Sequence, residues 1–148
     1  MGEPPVSDAV VRPATPDDAE EIRSLVTRAL LSAGFPPPDE ELDADLLTLS
    51  YYDSRGRGIW VAEREGVVVG CAALDVGDPG IAILRRLAGG ALSDLLAHIG
   101  HAARARGYEA VETVLPPGLP GTGEALSGAG FAPASPNNRL LLRLDLRP

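Results

Sequence analysis

Between Ile81 and Tyr108 an apolar strand, a glycine pair at Gly89 and Gly90 and an amphipathic helix follow one another with almost no connecting chain. A helix that begins at such a turn aims several free backbone N–H groups, and the positive end of its dipole, at one point in space. That is a seat for an anion, typically a phosphate. Other reactive patterns are sparse. Asp94, His98 and His101 fall at i, i+4 and i+7 of the same helix, a spacing suited to metal ligands. Their face lies opposite Leu92, Leu96, Ile99 and Ala103, and no second histidine cluster completes a shell, so they read as a solvated surface and no metal is expected. Cys71, the only cysteine, ends the apolar run Val67, Val68, Val69, Gly70 and reads as a buried small hydrophobe without a cationic neighbour to make it a nucleophile. All 13 basic residues are arginine, which excludes lysine Schiff-base chemistry. There is no Gly-x-Ser-x-Gly elbow to support serine hydrolysis.

The elements that position these groups must come from a chain of 148 residues, about one domain. A formal net charge of −8, spread along the chain, repels phosphate backbones, so nucleic acid is an unexpected partner. One cysteine rules out an internal disulfide. The start, MGEPPVSDA, has neither the basic nor the apolar region of a secretion signal, and no apolar run approaches membrane-spanning length. The expectation is a cytoplasmic protein without a membrane partner. The arginine-only cation set, with heavy Ala, Gly and Pro usage, points to a GC-rich bacterial genome.

Residues 1–8 read as a flexible tail and 9–148 as one domain. Ala9 to Arg12 is a predicted strand. Thr15 caps a helix with Pro16 at its first position and Asp18 where a capping box wants an acid, and the apolar period runs through Ile22, Leu25, Val26 and Leu30 until Gly34. A second helix is predicted from Asp39 to Leu49, its polar face a solvated stripe of Asp39, Asp43 and Asp45. Ile59 to Arg64 and Val67 to Leu74 form a hairpin through Glu65 and Gly66. Ile81 to Leu87 is the central strand and Gly90 to Arg106 the next helix. Ala110 to Leu115 is a strand, Glu124 to Ser127 one or two helical turns, and Asn138 to Leu146 the closing strand.

In this order the hairpin WVAEREGVVVGCAAL, the segment IAILRRLAGGALSDLLAHIGHAARARGY and the strand EAVETVL resemble the GNAT superfamily of acyl-CoA N-acyltransferases, as does VVRPATPDDAEEIRSLV at the start. The resemblance implies an α/β fold, a single domain with a mixed, mostly antiparallel sheet flanked by helices. It implies acetyl-CoA or another acyl-CoA as cosubstrate and a small-molecule or protein amine as acceptor. A homodimer is compatible with it. In that family the turn after the fourth strand, carrying Arg or Gln, two variable residues, Gly, one variable residue and Gly or Ala, holds the pyrophosphate. Here the turn is shortened to Leu87, Ala88, Gly89, Gly90, Ala91, with Gly90 matching the central glycine and Leu92 a flanking one. Carried over, the backbone of Gly89, Gly90, Ala91 and Leu92 makes the phosphate contacts, with Arg85 and Arg86, one on each side of the strand, adding charge. A shorter turn offers fewer N–H donors, so coenzyme A should bind more weakly than to a full loop.

Acyl transfer from a thioester to an amine also needs its protons moved. Many members of the resembled family use a Tyr five residues before the Phe of a terminal Gly-Phe; counted from Gly130 and Phe131, that position is Leu126. Tyr51 and Tyr52 then become the candidate proton donors, at least one facing the cleft, while Tyr108 reads as packing at a helix end. Glu63 and Asp75, near the ends of the hairpin strands, are the candidate bases. A cationic acceptor would be drawn to Asp43, Asp45 and Asp53. The competing reading is a catalytically inactive protein of the same fold, a binding or interaction module with impaired coenzyme A binding.

Overall fold

A computed structural model describes residues 9–39, 44–46, 49–114 and 121–146. The expected tail, 1–8, lies outside the described residues. Seven strands form one sheet in the order β1-β2-β3-β4-β5-β7-β6: β1 (Val10–Pro13), β2 (Gly58–Arg64), β3 (Val67–Val76), β4 (Ile81–Gly89), β5 (Ala110–Val114), β6 (Ala132–Ser135) and β7 (Asn138–Asp145). Only β4 and β5 run parallel. Among the described residues the α-helices are α1 (Ala19–Ser32), α2 (Leu92–Ala105) and α3 (Thr122–Gly128).

Strand alternation divides the core in two. Ile59, Val61, Cys71, Ala73 and Ala88 face α1 and bury Ile22, Leu25 and Val26. Trp60, Ala62, Ala72, Leu74 and Leu84 face the other way, onto Leu95, Leu96, Ile99 and Ala103 of α2 and Leu126 of α3. At the start of α1, the Asp18 carboxylate accepts the Thr15 N–H at 2.8 Å and also pairs with Arg12 at 2.8 Å.

Four expectations change. Within 39–49 the described residues form short 3-10 turns, Ala44–Leu46 and Leu49–Asp53, rather than one continuous helix; residues 40–43, 47 and 48 lie outside the description. Asp45 is buried rather than solvated. The strand β6 was not anticipated, because Ala-Pro-Ala-Ser has little strand character and pairs only through β7. His98 is half-buried, its ring 5.5 Å from that of Trp60, while His101 is exposed. Burial lowers the His98 pKa, with the positive charges of His101 and Arg106 adding to it. Replacing His98 by Ala should therefore cost about 1 to 2 kcal/mol and His101→Ala no more than about 0.5, read from thermal midpoints. Equal effects would show that the Trp60 contact contributes nothing.

The joint between β4 and α2 is built by close approach. Gly89 adopts φ +86°, Gly90 donates its N–H to the Val69 carbonyl at 2.7 Å, and the turn lies flat on β3. Ala91, the residue before α2, sits in the left-handed region at φ 56°. That conformation costs an L-residue about 1 to 2 kcal/mol, and a glycine there would return about 0.4 to 1 through unfolded-state entropy. Ala91→Gly should raise stability by about 0.5 kcal/mol, seen as a higher urea midpoint at unchanged slope; a lower midpoint would contradict a strained turn.

Candidate functional site

β4 and β5 are paired only at Ile81–Ala110, Ala82–Val111 and Ile83–Glu112. Past that point β5 stays with β7 while β4 stays with β3, and the sheet opens. The bend in β4 has a local cause. Ala73 pairs with Arg85 and Cys71 with Ala88, so Arg86 and Leu87 together oppose Ala72 as a β-bulge. Arg86 takes φ 58° to make it.

The opening is a cleft of about 340 Å³ whose walls come from both faces of the sheet. Val26, Ala29, Leu30 and Phe35 line it from the α1 side, Thr122 and Leu126 from α3, and Arg85, Arg86, Leu87 and Ala88 from β4. A second hollow of about 290 Å³, bordered by Arg28, Gly89 and Leu92, shares Ala29, Leu87, Ala88 and Thr122 with the first. The two form one trough, apolar at its centre, that ends beside the turn into α2. In its upper part β4 presents an edge with no strand partner among the described residues.

The bulge also redirects the arginine pair. In a regular strand Arg85 and Arg86 would point to opposite faces, as expected from sequence; the extra residue puts both guanidinium groups on the α1 side. Arg86 grips Asp45 through Nε at 2.9 Å and a terminal nitrogen at 2.6 Å. Arg85 bridges Asp75 at 3.0 Å and Asp45 at 3.8 Å. Arg57 donates to Asp75 at 2.7 Å. The two phenols complete the network, Tyr51 donating to Asp75 at 2.7 Å and Tyr52 to Asp45 at 2.5 Å.

Electrostatics follow from these contacts. Burial alone would raise the carboxyl pKa of Asp45, but hydrogen bonds from Arg86 and Tyr52 outweigh it and hold the group below the ordinary carboxylate range. Asp75 is held low in the same way, against burial, by Arg57, Tyr51 and the Val76 N–H. Burial, and then the Asp45 carboxylate, push the Tyr52 phenol well above its ordinary value. Tyr51 is raised chiefly by its bond to Asp75. Both phenols are neutral donors at physiological pH. Burial pushes the Cys71 thiol up to about 12, so it is inert.

The sequence-derived site is thus brought together in part. Arg85, Arg86, Leu87, Gly89 and Leu92 line the trough, and Gly90 and Ala91 shape its turn, although the Gly90 N–H is already spent on Val69. Tyr51, Tyr52 and Asp75 join the network, but the arginines, not the phenols, line the cleft. Glu63 stands apart, paired with Arg12 at 3.0 Å beside β1. Of the acids expected to attract a cation, Asp45 is neutralised, Asp53 is exposed and Asp43 lies outside the described residues. Arg57, Arg28 and Thr122 were missed; nothing in their local sequence marks them. Among the described residues no group of three acids, histidines or cysteines is suited to a metal ion, and no helix is long and apolar enough to cross a membrane.

Neither a protein-family model nor a curated protein sequence matches the chain. Solved structures do. A GNAT-family acetyltransferase from Staphylococcus aureus Mu50 superimposes with a TM-score of 0.80 at 13% identity, covering 94% of this chain and 99% of that one. A GNAT-superfamily phosphinothricin acetyltransferase from Sinorhizobium meliloti, solved with acetyl-CoA, gives a TM-score of 0.73 at 19% identity over 94% of this chain and 89% of that one. N-acetylglutamate synthase from Neisseria gonorrhoeae, solved with coenzyme A and L-arginine, gives 0.67 at 22% identity, covering 97% of this chain and 34% of that one. The chain has the GNAT fold: a single α/β domain with a mixed seven-stranded sheet.

Proposed function

We propose that residues 9–148 form one acyltransferase unit that moves an acyl group, acetyl in the simplest case, from coenzyme A to a small-molecule or protein amine. The carrying observation is the trough at the β4–β5 opening, because a fold by itself does not decide activity. Its apolar centre suits the thioester arm. The unpartnered edge of β4 offers backbone groups to the arm's amides, as an added strand would use them. At the far end, the first N–H groups of α2 and Arg28 meet the pyrophosphate.

In the reaction the amine nitrogen attacks the thioester carbonyl, the C–S bond breaks, and the sulfur leaves with the bonding electrons. An ammonium substrate sheds two protons, one ending on the thiol and one in solvent. Tyr51 is proposed to supply the thiolate's proton: the residue is 38% exposed, and although its ring is not part of the cleft wall, Asp75 links its hydroxyl to cleft-lining Arg85. Tyr52, buried on Asp45, positions its loop. The setting proposed is cytoplasmic, with no nucleic acid, membrane or metal involved. Thiol release from acetyl-CoA with a panel of amines tests the proposal, and Tyr51→Phe should slow it about 100-fold, the usual scale of general acid catalysis.

Two observations favour the second reading, a non-catalytic module. Leu126 lines the cleft where the resembled enzymes place a tyrosine, and the Gly90 N–H is already occupied. Absence of thiol release with every amine would favour it.

A further inference from the structure

The arginine cluster on the α1 side of the cleft is larger than its structural duties require. Among the described residues, three guanidinium groups, from Arg57, Arg85 and Arg86, stand over two carboxylates, Asp45 and Asp75. Both acids keep strong partners without Arg85. Asp45 retains the two-point grip of Arg86 and the Tyr52 hydroxyl, and Asp75 retains Arg57, Tyr51 and the Val76 N–H. Arg85 is the cation whose loss strands neither carboxylate. Its side chain is 30% exposed, it holds Asp75 at 3.0 Å but approaches Asp45 only at a loose 3.8 Å, and it lines the cleft.

The backbone pays to keep this arrangement. Arg86 occupies the left-handed region, unfavourable for a side chain of its size, and that bulge is what brings both arginines to one face. A surplus cation facing a half-enclosed cleft repels a bare ammonium ion and attracts an anion, opposing at short range the negative field of the whole chain. The planar fork of a guanidinium matches a carboxylate in two-point contact.

From this geometry we infer that the acceptor is an amino compound carrying a carboxylate, an amino acid in the simplest case, and that Arg85 binds the carboxylate while the amine addresses the thioester. This rests on the acyl-transfer reading and sharpens it. The bulge decides which arginine does what: Arg86 anchors Asp45 and Arg85 reads the ligand.

The test compares the common L-amino acids with their carboxamides, which keep the amine and remove the anion, in the acetyl-CoA thiol-release assay. Calorimetric titration with acetyl-CoA runs alongside. For the preferred amino acid, kcat/KM should exceed that of its amide by about tenfold or more, because a site built to pair a group rejects an analogue lacking it. Arg85→Gln should erase that preference through KM, and Arg85→Lys, which keeps the charge, should retain part of it. Equal or better turnover of the amides, or an undiminished preference in Arg85→Gln, overturns the inference and leaves acyl transfer standing. No turnover with any amine while acetyl-CoA binds overturns the inference as well. No acetyl-CoA binding at all sinks the acyl-transfer reading itself, with the inference.

Discussion

Gly70→Ala is expected to cost about 3 kcal/mol, at the upper end of overpacking effects, and to lower the thermal midpoint by roughly 6 to 12 °C. A β-carbon on Gly70 would stand 2.1 Å from the carbonyl oxygen of Gly90 and 3.0 Å from Leu95. The oxygen belongs to backbone that cannot yield, since the neighbouring N–H is bound to Val69 at 2.7 Å. The turn must lift from β3, and because Gly89 and Leu92 border the trough, its end at that turn should widen with it. Gly90→Ala is the control: its β-carbon would meet nothing closer than 3.7 Å, so stability should change by no more than about 0.5 kcal/mol. A Gly70→Ala protein as stable as the wild type would show that the close approach of β3 to the turn is not real.

That joint marks the boundary of what sequence could reveal. Thr15, Pro16 and Asp18 announce the start of the first helix through chemistry confined to four residues, and Glu65-Gly66 between two apolar runs announces a hairpin. The glycine turn before α2 was readable for the same reason. The bulge was not. Arg85-Arg86-Leu87 carries no bulge signal, and the extra residue exists because the registers of Cys71 and Ala73 demand it from across the sheet. Sequence alternation therefore assigned the two arginines to opposite faces, and the network with Asp45 and Asp75 stayed hidden. Asp45 looked like one of three solvated acids because burial is set by what packs over a residue, here Tyr52 from the following turn and Arg86 from a strand 41 residues on. Glu63 and Asp75 looked equivalent as strand-end acids, yet tertiary partners separate them: Arg12 takes one and the arginine cluster the other.

The second large effect is expected at Asp45. Its side chain is 5% exposed and that of Arg86 11%, so Asp45→Ala removes the two-point partner of a buried guanidinium and the acceptor of the Tyr52 hydroxyl. Breaking such a pair costs about 3 kcal/mol or more. The change also has a pH signature. Asp45 and Asp75 are held below the ordinary carboxylate range in the folded protein, so the unfolded chain binds more protons near pH 4. The stability they contribute is complete above the unfolded carboxylate pKa and is lost as pH falls through it toward the lower folded values. Thermal midpoints from pH 7 to pH 3 should fall steeply in the wild type, and from a lower start but less steeply in Asp45→Ala. Parallel curves would contradict an ionised, paired Asp45.

All of the functional argument depends on the trough accepting an acyl-CoA. Ala29, partly buried at the margin of the core, lines both halves of it from α1, where a large ring would occupy the space. The decisive measurement is calorimetric titration of acetyl-CoA into the wild type and into Ala29→Trp, with thermal midpoints to confirm that both are folded. The account predicts saturable binding at one molecule per chain in the wild type, weakened about tenfold or more by Ala29→Trp, which corresponds to a loss of about 1.4 kcal/mol. Absence of saturable binding in the wild type, or equal affinity in a folded Ala29→Trp, would contradict it.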